Sequence, residues 1–288
     1  MALPAIIFLI IFNYLPMFGV VLAFKQYNYT DGIFASPWSG FENFKFLFAT
    51  SDAWNITRNT LLYNALFIVL GLILSVALAI VFNEIKSRFM SRMYQVLTIM
   101  PYFLSWVVAG FIFYAFLNVD KGYLNSLLQS LGFDPIAWYS ETKYWPYILV
   151  FAHLWKSIGY TSVIYLASIM SISSEYYEAA VIDGASKWKQ IWHITIPALK
   201  PMMIILTILA IGKIFYADFG LFFQVPRDSG QLYEVTQVID TYVYNGLKTL
   251  GNIGMSAAAN FYQSIIGFVL VLVSNLVVRK IDKEQALF

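Results

Sequence analysis

Cysteine is absent from all 288 residues, which excludes disulfides and thiol chemistry and fits a bacterial membrane. Histidine occurs only at His153 and His193, and no H-E-x-x-H is present, so the helical zinc-hydrolase arrangement has no ligands. No G-x-x-x-x-G-K-[ST] phosphate loop exists, so the chain does not hydrolyse ATP by that route. Charge is scarce as well. Charged residues make up 12%, against roughly 25% in ordinary soluble domains, and a net charge of +2 does not suggest a nucleic-acid partner.

What fills the chain instead is apolar. Hydrophobic residues reach 60% and the mean hydropathy is +0.68, the signature of a membrane protein. A hydrocarbon core about 30 Å thick takes about 20 apolar residues per helical span. Six runs qualify, over residues 2–24, 59–83, 93–117, 144–171, 200–223 and 254–278. The expected fold is therefore all-α and polytopic, a single transmembrane domain over 1–288. The first run has no basic n-region and no small-residue cleavage site after it, so it is expected to be a true span and not a removable signal.

Orientation follows from the basic residues of the connections. Segments 84–92, 172–199 and 279–288 share one side and hold Lys86, Arg88, Arg92, Lys187, Lys189, Arg279, Lys280 and Lys283. The longer opposite segments hold Lys25, Lys45, Arg58, Lys121, Lys143, Arg227 and Lys248 at lower density. The first set, and both termini with it, is expected in the cytoplasm. On the outer side, Phe41–Phe48 and Leu124–Leu131 are expected as short interfacial helices, with Trp38, Trp54, Trp138 and Trp145 as an aromatic belt.

One cytoplasmic stretch, SSEYYEAAVIDGASKWKQIWHITIPALKP over 173–201, is unusually polar for this chain. Ser173 or Ser174 caps a short helix with Glu175 and Glu178 near its positive end. Gly184 stops it, because glycine takes a positive φ freely. Ser186 caps a second helix, on which Trp188, Ile191, Trp192 and Thr195 form a largely apolar stripe, and Pro197 and Pro201 mark entry to the next span. The expectation is a helix, a turn and a helix lying on the membrane face. Small Ala179 and Ala180 beside Glu178 make a low knob that suits a groove on another protein. Such a segment also suits a plain interfacial connector.

Ionisable residues inside spans are costly and point to function, or to charge pairs that hold a bundle together. Lys156 and Lys213 sit near the middles of the fourth and fifth runs, with His153 and Asp218 near them in sequence. In the sixth run Ser256, Asn260, Gln263 and Gly267 make a polar stripe, expected to face protein or a water-filled cavity. Trp106, Tyr114 and Tyr160 offer ring faces to a sugar, a role that packing aromatics rival. The candidate pathway residues are thus Trp106, Tyr114, Lys156, Tyr160, Lys213, Asn260 and Gln263.

The spacing Glu178, Ala179, Ala180, then Gly184, then Ile194, Thr195, Ile196 and Pro197 resembles the EAA loop of permease subunits in binding-protein-dependent ABC importers. Ile196 stands where that family has leucine. Gly40, Phe41, Asn43 and Phe44, followed by Asn59, Thr60 and Leu61, resemble the oligosaccharide permeases of the maltose and alginate-oligosaccharide kind. The resemblance implies that Glu178, Ala179, Ala180, Gly184 and Pro197 belong to an element that docks into a separate ATPase subunit. It also implies a second permease subunit, an extracellular solute-binding protein and an oligosaccharide substrate. No cofactor is expected in this chain, with ATP and magnesium on the partner ATPases. Two other classes stay open: a secondary transporter or channel using His153, Lys156 and Asp218 as a proton relay, and a membrane enzyme, for which the chain offers few catalytic groups.

Overall fold

A computed structural model describes residues 3–46 and 51–281. Among them the chain is helical, with no strand and one isolated bridge between Lys25 and Trp38. The main elements are α1 (Leu3–Phe24), α2 (Ser51–Glu84), α3 (Arg88–Phe103), α4 (Trp106–Leu117), α5 (Tyr123–Ser130), α6 (Trp145–Met170), α7 (Ser174–Ile182), α8 (Lys187–Ile211), α9 (Phe219–Gln224), α10 (Ile239–Leu250) and α11 (Ile253–Ile281).

Four of these, α1, α2, α8 and α11, are long and apolar enough to cross a membrane. Of the six runs expected as spans, two are broken in the structure. The run 93–117 is broken: α3 and α4 meet at 101°, and only as a bent pair do they count as a fifth span. Pro101 leads a 3₁₀ turn, and Ser105, extended at ψ 152, caps α4 by accepting from the Val108 amide at 3.3 Å. The run 200–223 is broken too. Its helix ends at Ile211, and Asp218 starts α9 by accepting from the Leu221 amide at 3.4 Å. The run 144–171 is the helix α6, about 39 Å long at 1.5 Å per residue. His153, Lys156, Ser157 and Thr161 interrupt its apolar character, and it is not among the four.

Two prolines shape the long helices by one device. Proline lacks an N–H, and its ring crowds the carbonyl four residues back. Immediately before Pro16 and Pro197 the helix widens into single π turns, Ile10–Tyr14 and Ile191–Thr195, in which Leu15 and Ile196 bond carbonyls five residues earlier. Consequently the second helix of the 173–199 stretch does not lie separately on the membrane face. It runs through the π turn into the span as α8.

The helix α6 is central, contributing Trp145, Leu149 and Ala152 to one buried cluster and Tyr165, Leu166 and Ile169 to another. Trp145 is fully buried and donates to the Trp138 carbonyl at 2.7 Å, so it belongs to the core and not to an aromatic belt. Trp38 and Trp54 are exposed. The two ends of the bundle are built differently. At one, Lys187 pairs with Glu84 at 3.2 Å and Ser91 donates to the Phe82 carbonyl at 3.1 Å, bringing the basic connections together.

At the other end, Asn59 donates to the Glu234 and Gln237 carbonyls at 3.0 Å each. Thr60 accepts from the Ile239 amide and Tyr63 donates to the Val235 carbonyl. Each such bond is worth about 0.5–1.5 kcal/mol net. Asn43 donates to the Ala23 and Lys25 carbonyls at 3.0 and 2.9 Å, closing the end of α1. Phe24, Phe41, Phe44 and Phe261 pack beside it, edge to face or tilted, and fix α1 to α11. The expected helix Leu124–Leu131 is α5; of Phe41–Phe48, Glu42–Phe44 form a 3₁₀ turn and residues 47–48 lie outside the described residues.

Candidate functional site

The break between α3 and α4 and the end of α8 come together around α6. Asp218 accepts from the Trp106 indole N–H at 2.7 Å, a partnership across 112 residues of sequence. Gly220 permits it, since a Cβ there would lie 2.3 Å from the Trp106 ring. One turn away, Lys156 donates to the Tyr102 carbonyl at 2.7 Å and stands over the Tyr102 and Trp106 rings at 5.4 and 5.2 Å. Tyr160 stacks on Tyr102 with centroids 4.4 Å apart. This carbonyl is one that the broken helix leaves without an intrahelical partner, and the lysine supplies it.

Beside that node lies a cavity of about 440 Å³ between α2, α6 and α8, lined among others by Asn64, His153, Tyr160, Thr161, Lys213 and Asp218. Asn64 is committed to the Ile214 and Tyr216 carbonyls at 2.8 and 3.1 Å, tying down the unwound chain after α8. His153 stacks flat on Phe67 at 3.8 Å. Lys213 projects to the surface of the cavity, and neither it nor Lys156 lies in any ion pair among the described residues. No hydrogen bond among the described residues joins His153, Lys156 and Asp218 into a relay.

The candidate pathway residues therefore separate. Trp106, Lys156, Tyr160 and Lys213 gather around one region. Tyr114 lies elsewhere, under the Arg227 guanidinium at 4.0 Å. Asn260 lines a groove of about 560 Å³ between α1 and α11 with Ser264, which bonds the Tyr216 hydroxyl at 2.6 Å. Gln263 is buried, donating to the Phe215 carbonyl and to Asp240 at 3.3 Å, so the stripe on α11 is split between a core residue and a surface one. Asp240 also accepts from the Ala217 amide at 2.8 Å, and burial pushes its carboxyl above the usual carboxylate range. These partners sit in α10 and in the unwound segment after α8, and sequence reasoning missed them.

At the opposite end, α7 is capped as expected: Ser173 accepts from the Glu175 amide at 3.3 Å. Gly184 has φ +73 and closes a double-bonded C-terminal turn, with its N–H on the Val181 carbonyl and the Ala185 N–H on that of Ala180. Ser186 occupies the next cap position but makes no capping bond with its side chain. Tyr177 meets Thr195 at 2.9 Å and Gln190 donates to the Ala185 carbonyl, so the turn is held rigidly against α8. Glu178 and Ala179 are exposed, and Ile182 is 86% exposed beside Val181 and Tyr176. That apolar tip extends the knob beyond the residues expected from the sequence. Trp188 and Trp192 are exposed on α8, whereas Thr195 of the same stripe is buried.

A helical bundle with broken spans, a cavity beside the breaks that mixes apolar and ionisable residues, and a rigid projecting helix fits a membrane transport component. The comparisons make this particular: residues 68–283 match the model of the binding-protein-dependent transport system inner membrane component, and the chain belongs to that family. It is similar to Protein LplB of Bacillus subtilis (strain 168), 33% identical over 98% of this chain and 88% of that protein. The polygalacturonan/rhamnogalacturonan transport system permease protein YteP of the same organism is 31% identical over 99% and 88%. Among solved structures, a bacterial ABC transporter involved in import of the acidic polysaccharide alginate matches with TM-score 0.87 and 31% identity, covering 97% of this chain and 94% of that one.

Proposed function

We propose that this chain is a permease subunit of an ATP-driven ABC importer that passes an acidic oligosaccharide through the membrane. It works with a second permease subunit, two ATPase subunits or domains that bind ATP and magnesium, and an extracellular solute-binding protein. The reading rests on α7: an exposed apolar tip, flanked by Glu178 and Ala179 and held rigidly on a span, is the shape that fits a groove on a partner. Pushing on that tip moves α8, because the two are joined through Tyr177, Thr195 and the π turn ahead of Pro197. Closure of the ATPases would thus reach Lys213 and the cavity beside it. The basic connections lie at the same end as α7, which supports a cytoplasmic location for that end and for both termini, in a bacterial cell membrane.

The acid preference rests on Lys213, a cation in the cavity with no carboxylate partner among the described residues. It accords with two relatives concerned with polygalacturonan and alginate. Trp106, Tyr160 and Lys156 frame the same region.

Gly184→Val tests the coupling role. A β-branched side chain at φ +73 costs on the order of 1–2 kcal/mol of backbone strain, while nothing within 4 Å blocks its Cβ. Insertion into the membrane should survive, and ATP-dependent uptake into reconstituted vesicles should fall together with ATPase association. Normal transport by an intact variant complex overturns the coupling role. Uptake driven by a proton gradient without ATP would establish the secondary-transporter reading instead.

A further inference from the structure

The end of the bundle opposite α7 carries a second cavity, of about 380 Å³, lined by Tyr114, Asn118, Val119, Asp120, Tyr139 and Arg227. That volume falls within the range of about 300–1,000 Å³ common for small-molecule sites. It shares no lining residue with the cavity around Lys213. Its wall is aromatic, Tyr114 and Tyr139 meeting edge to face at 5.7 Å. Against that wall the Arg227 guanidinium lies 4.0 Å from the Tyr114 centroid and 5.9 Å from that of Phe111.

Arg227 is held there by its backbone. Its φ is +59 and that of Asp228 is +49, two consecutive left-handed residues that are not glycine. Asp228 accepts from the Tyr233 hydroxyl at 2.9 Å and the Asn245 amide at 3.1 Å, and its N–H closes on the Phe223 carbonyl. With its neighbour anchored, Arg227 is aimed across the rings. It has no ion pair among the described residues.

The remaining polar groups divide by role. Asn118 spends its side-chain oxygen on the Asp120 and Lys121 amides at 2.9 Å each, leaving its NH₂ as a donor. Tyr139 donates to the Val225 carbonyl at 3.3 Å, and burial raises its phenol to about 12, so it stays neutral. Asp120 is an acceptor only, on the same wall as Asn118. Two donors, one of them a planar cation, suit a carboxylate, which guanidinium groups bind by two parallel hydrogen bonds. The Asp120 carboxylate repels that group toward Arg227 and accepts from a hydroxyl.

We infer that this cavity is an outer subsite for one uronate residue of the oligosaccharide, its carboxylate on Arg227 and Asn118 and a ring hydroxyl on Asp120. The inference rests on the acidic-substrate reading above. It adds a capture point at the far end of the pathway from α7, where a released sugar would be held before reaching Lys213.

Arg227→Gly is the informative variant, because glycine accepts φ +59 and the turn keeps its backbone. Arg227→Lys keeps the charge but loses the planar fork. Binding of trigalacturonate and of its neutral methyl ester to the purified complex of permeases and ATPases, without the binding protein, would be measured by calorimetry. The wild type should favour the acid at least tenfold, Arg227→Gly should cut that preference several-fold, down to the part that Lys213 supplies, and Arg227→Lys should fall between. An acid preference unchanged in Arg227→Gly overturns the subsite and leaves the proposed function standing. No acid preference in the wild type overturns the substrate class and the subsite together. An unchanged preference accompanied by lost stimulation of ATP hydrolysis by the binding protein would assign Arg227 to docking that partner, and likewise overturns the subsite.

Discussion

Replacing Gly159 by alanine is expected to destabilise the protein by about 1–3 kcal/mol or more, the cost of overpacking. Helix propensity alone argues the reverse, since alanine is better than glycine by about 1 kcal/mol in a helix interior. Contact geometry decides between them. A Cβ on Gly159 would lie 2.1 Å from the Thr98 carbonyl oxygen and 2.9 Å from the Ile99 Cα, backbone atoms of α3 that no rotamer change can move. The other side of α6 is no freer: Ser75 on α2 donates to the Ile158 carbonyl at 3.4 Å. The helix must therefore push α3 aside, and α3 ends in the turn whose Tyr102 carbonyl holds Lys156 and whose Tyr102 ring stacks on Tyr160. Gly71→Ala in α2 is the matched control, with nothing within 4 Å of its Cβ. Thermal unfolding in detergent should show Gly159→Ala lowered and Gly71→Ala unchanged or raised. Equal shifts for the two would mean that the approach of α6 to α3 does not limit stability.

The same crossing shows where the sequence was legible and where it was not. The first, second and sixth apolar runs correspond to α1, α2 and α11 because each is uninterrupted, and length with hydropathy suffices to find it. The third and fifth runs are equally apolar, but each contains a break made by residues that are inconspicuous singly. Pro101 and Ser105 end α3 and start α4, and Gly212 with Asp218 do the same after α8. A hydropathy window averages over such positions. Local rules served better at the stretch 173–201, where the Ser173 cap and the positive φ of Gly184 follow from chemistry within a few residues. They could not reveal Ile182 at the tip, nor the continuity of α8 through its π turn.

Long-range partners were the least visible. Gln263 reads as part of a polar stripe until Asp240 and the Phe215 carbonyl are placed beside it. Arg227 reads as one more outer basic residue until Tyr114 is beneath it. In both cases one member of the pair lies outside the uninterrupted apolar runs, Asp240 in α10 and Arg227 in the turn after α9. Broken spans are where such partners accumulate, because unwound backbone at membrane depth is tolerated only where protein or a water-filled cavity satisfies it. Asn64, Gln263 and Lys156 each satisfy carbonyls freed by a break, and Asn64 also lines the cavity.

Lys213→Met and Lys156→Met should consequently differ, although both remove one charge at a similar volume. Lys213 projects to the cavity with no ion pair among the described residues, so its loss leaves no buried acceptor unmet. The variant should assemble normally. Uptake of an acidic oligosaccharide should fall roughly tenfold to a hundredfold, the loss of a charged hydrogen bond worth about 1.5–3 kcal/mol, while a neutral analogue delivered by the same binding protein should pass at nearly the wild-type rate. Lys156 instead satisfies the Tyr102 carbonyl at 2.7 Å and lies over two rings that line the α3–α4 break. Removing it strands that carbonyl and loosens Trp106, whose indole is bound to Asp218. Lys156→Met should therefore lose detergent stability and slow both substrate classes together. Uptake assays with paired acidic and esterified sugars, alongside unfolding curves for each purified complex, measure these effects. An equal loss of both sugars in Lys213→Met with unchanged stability would remove the acid-selective role from Lys213, and selective loss of the acid in a fully stable Lys156→Met would move that role to Lys156.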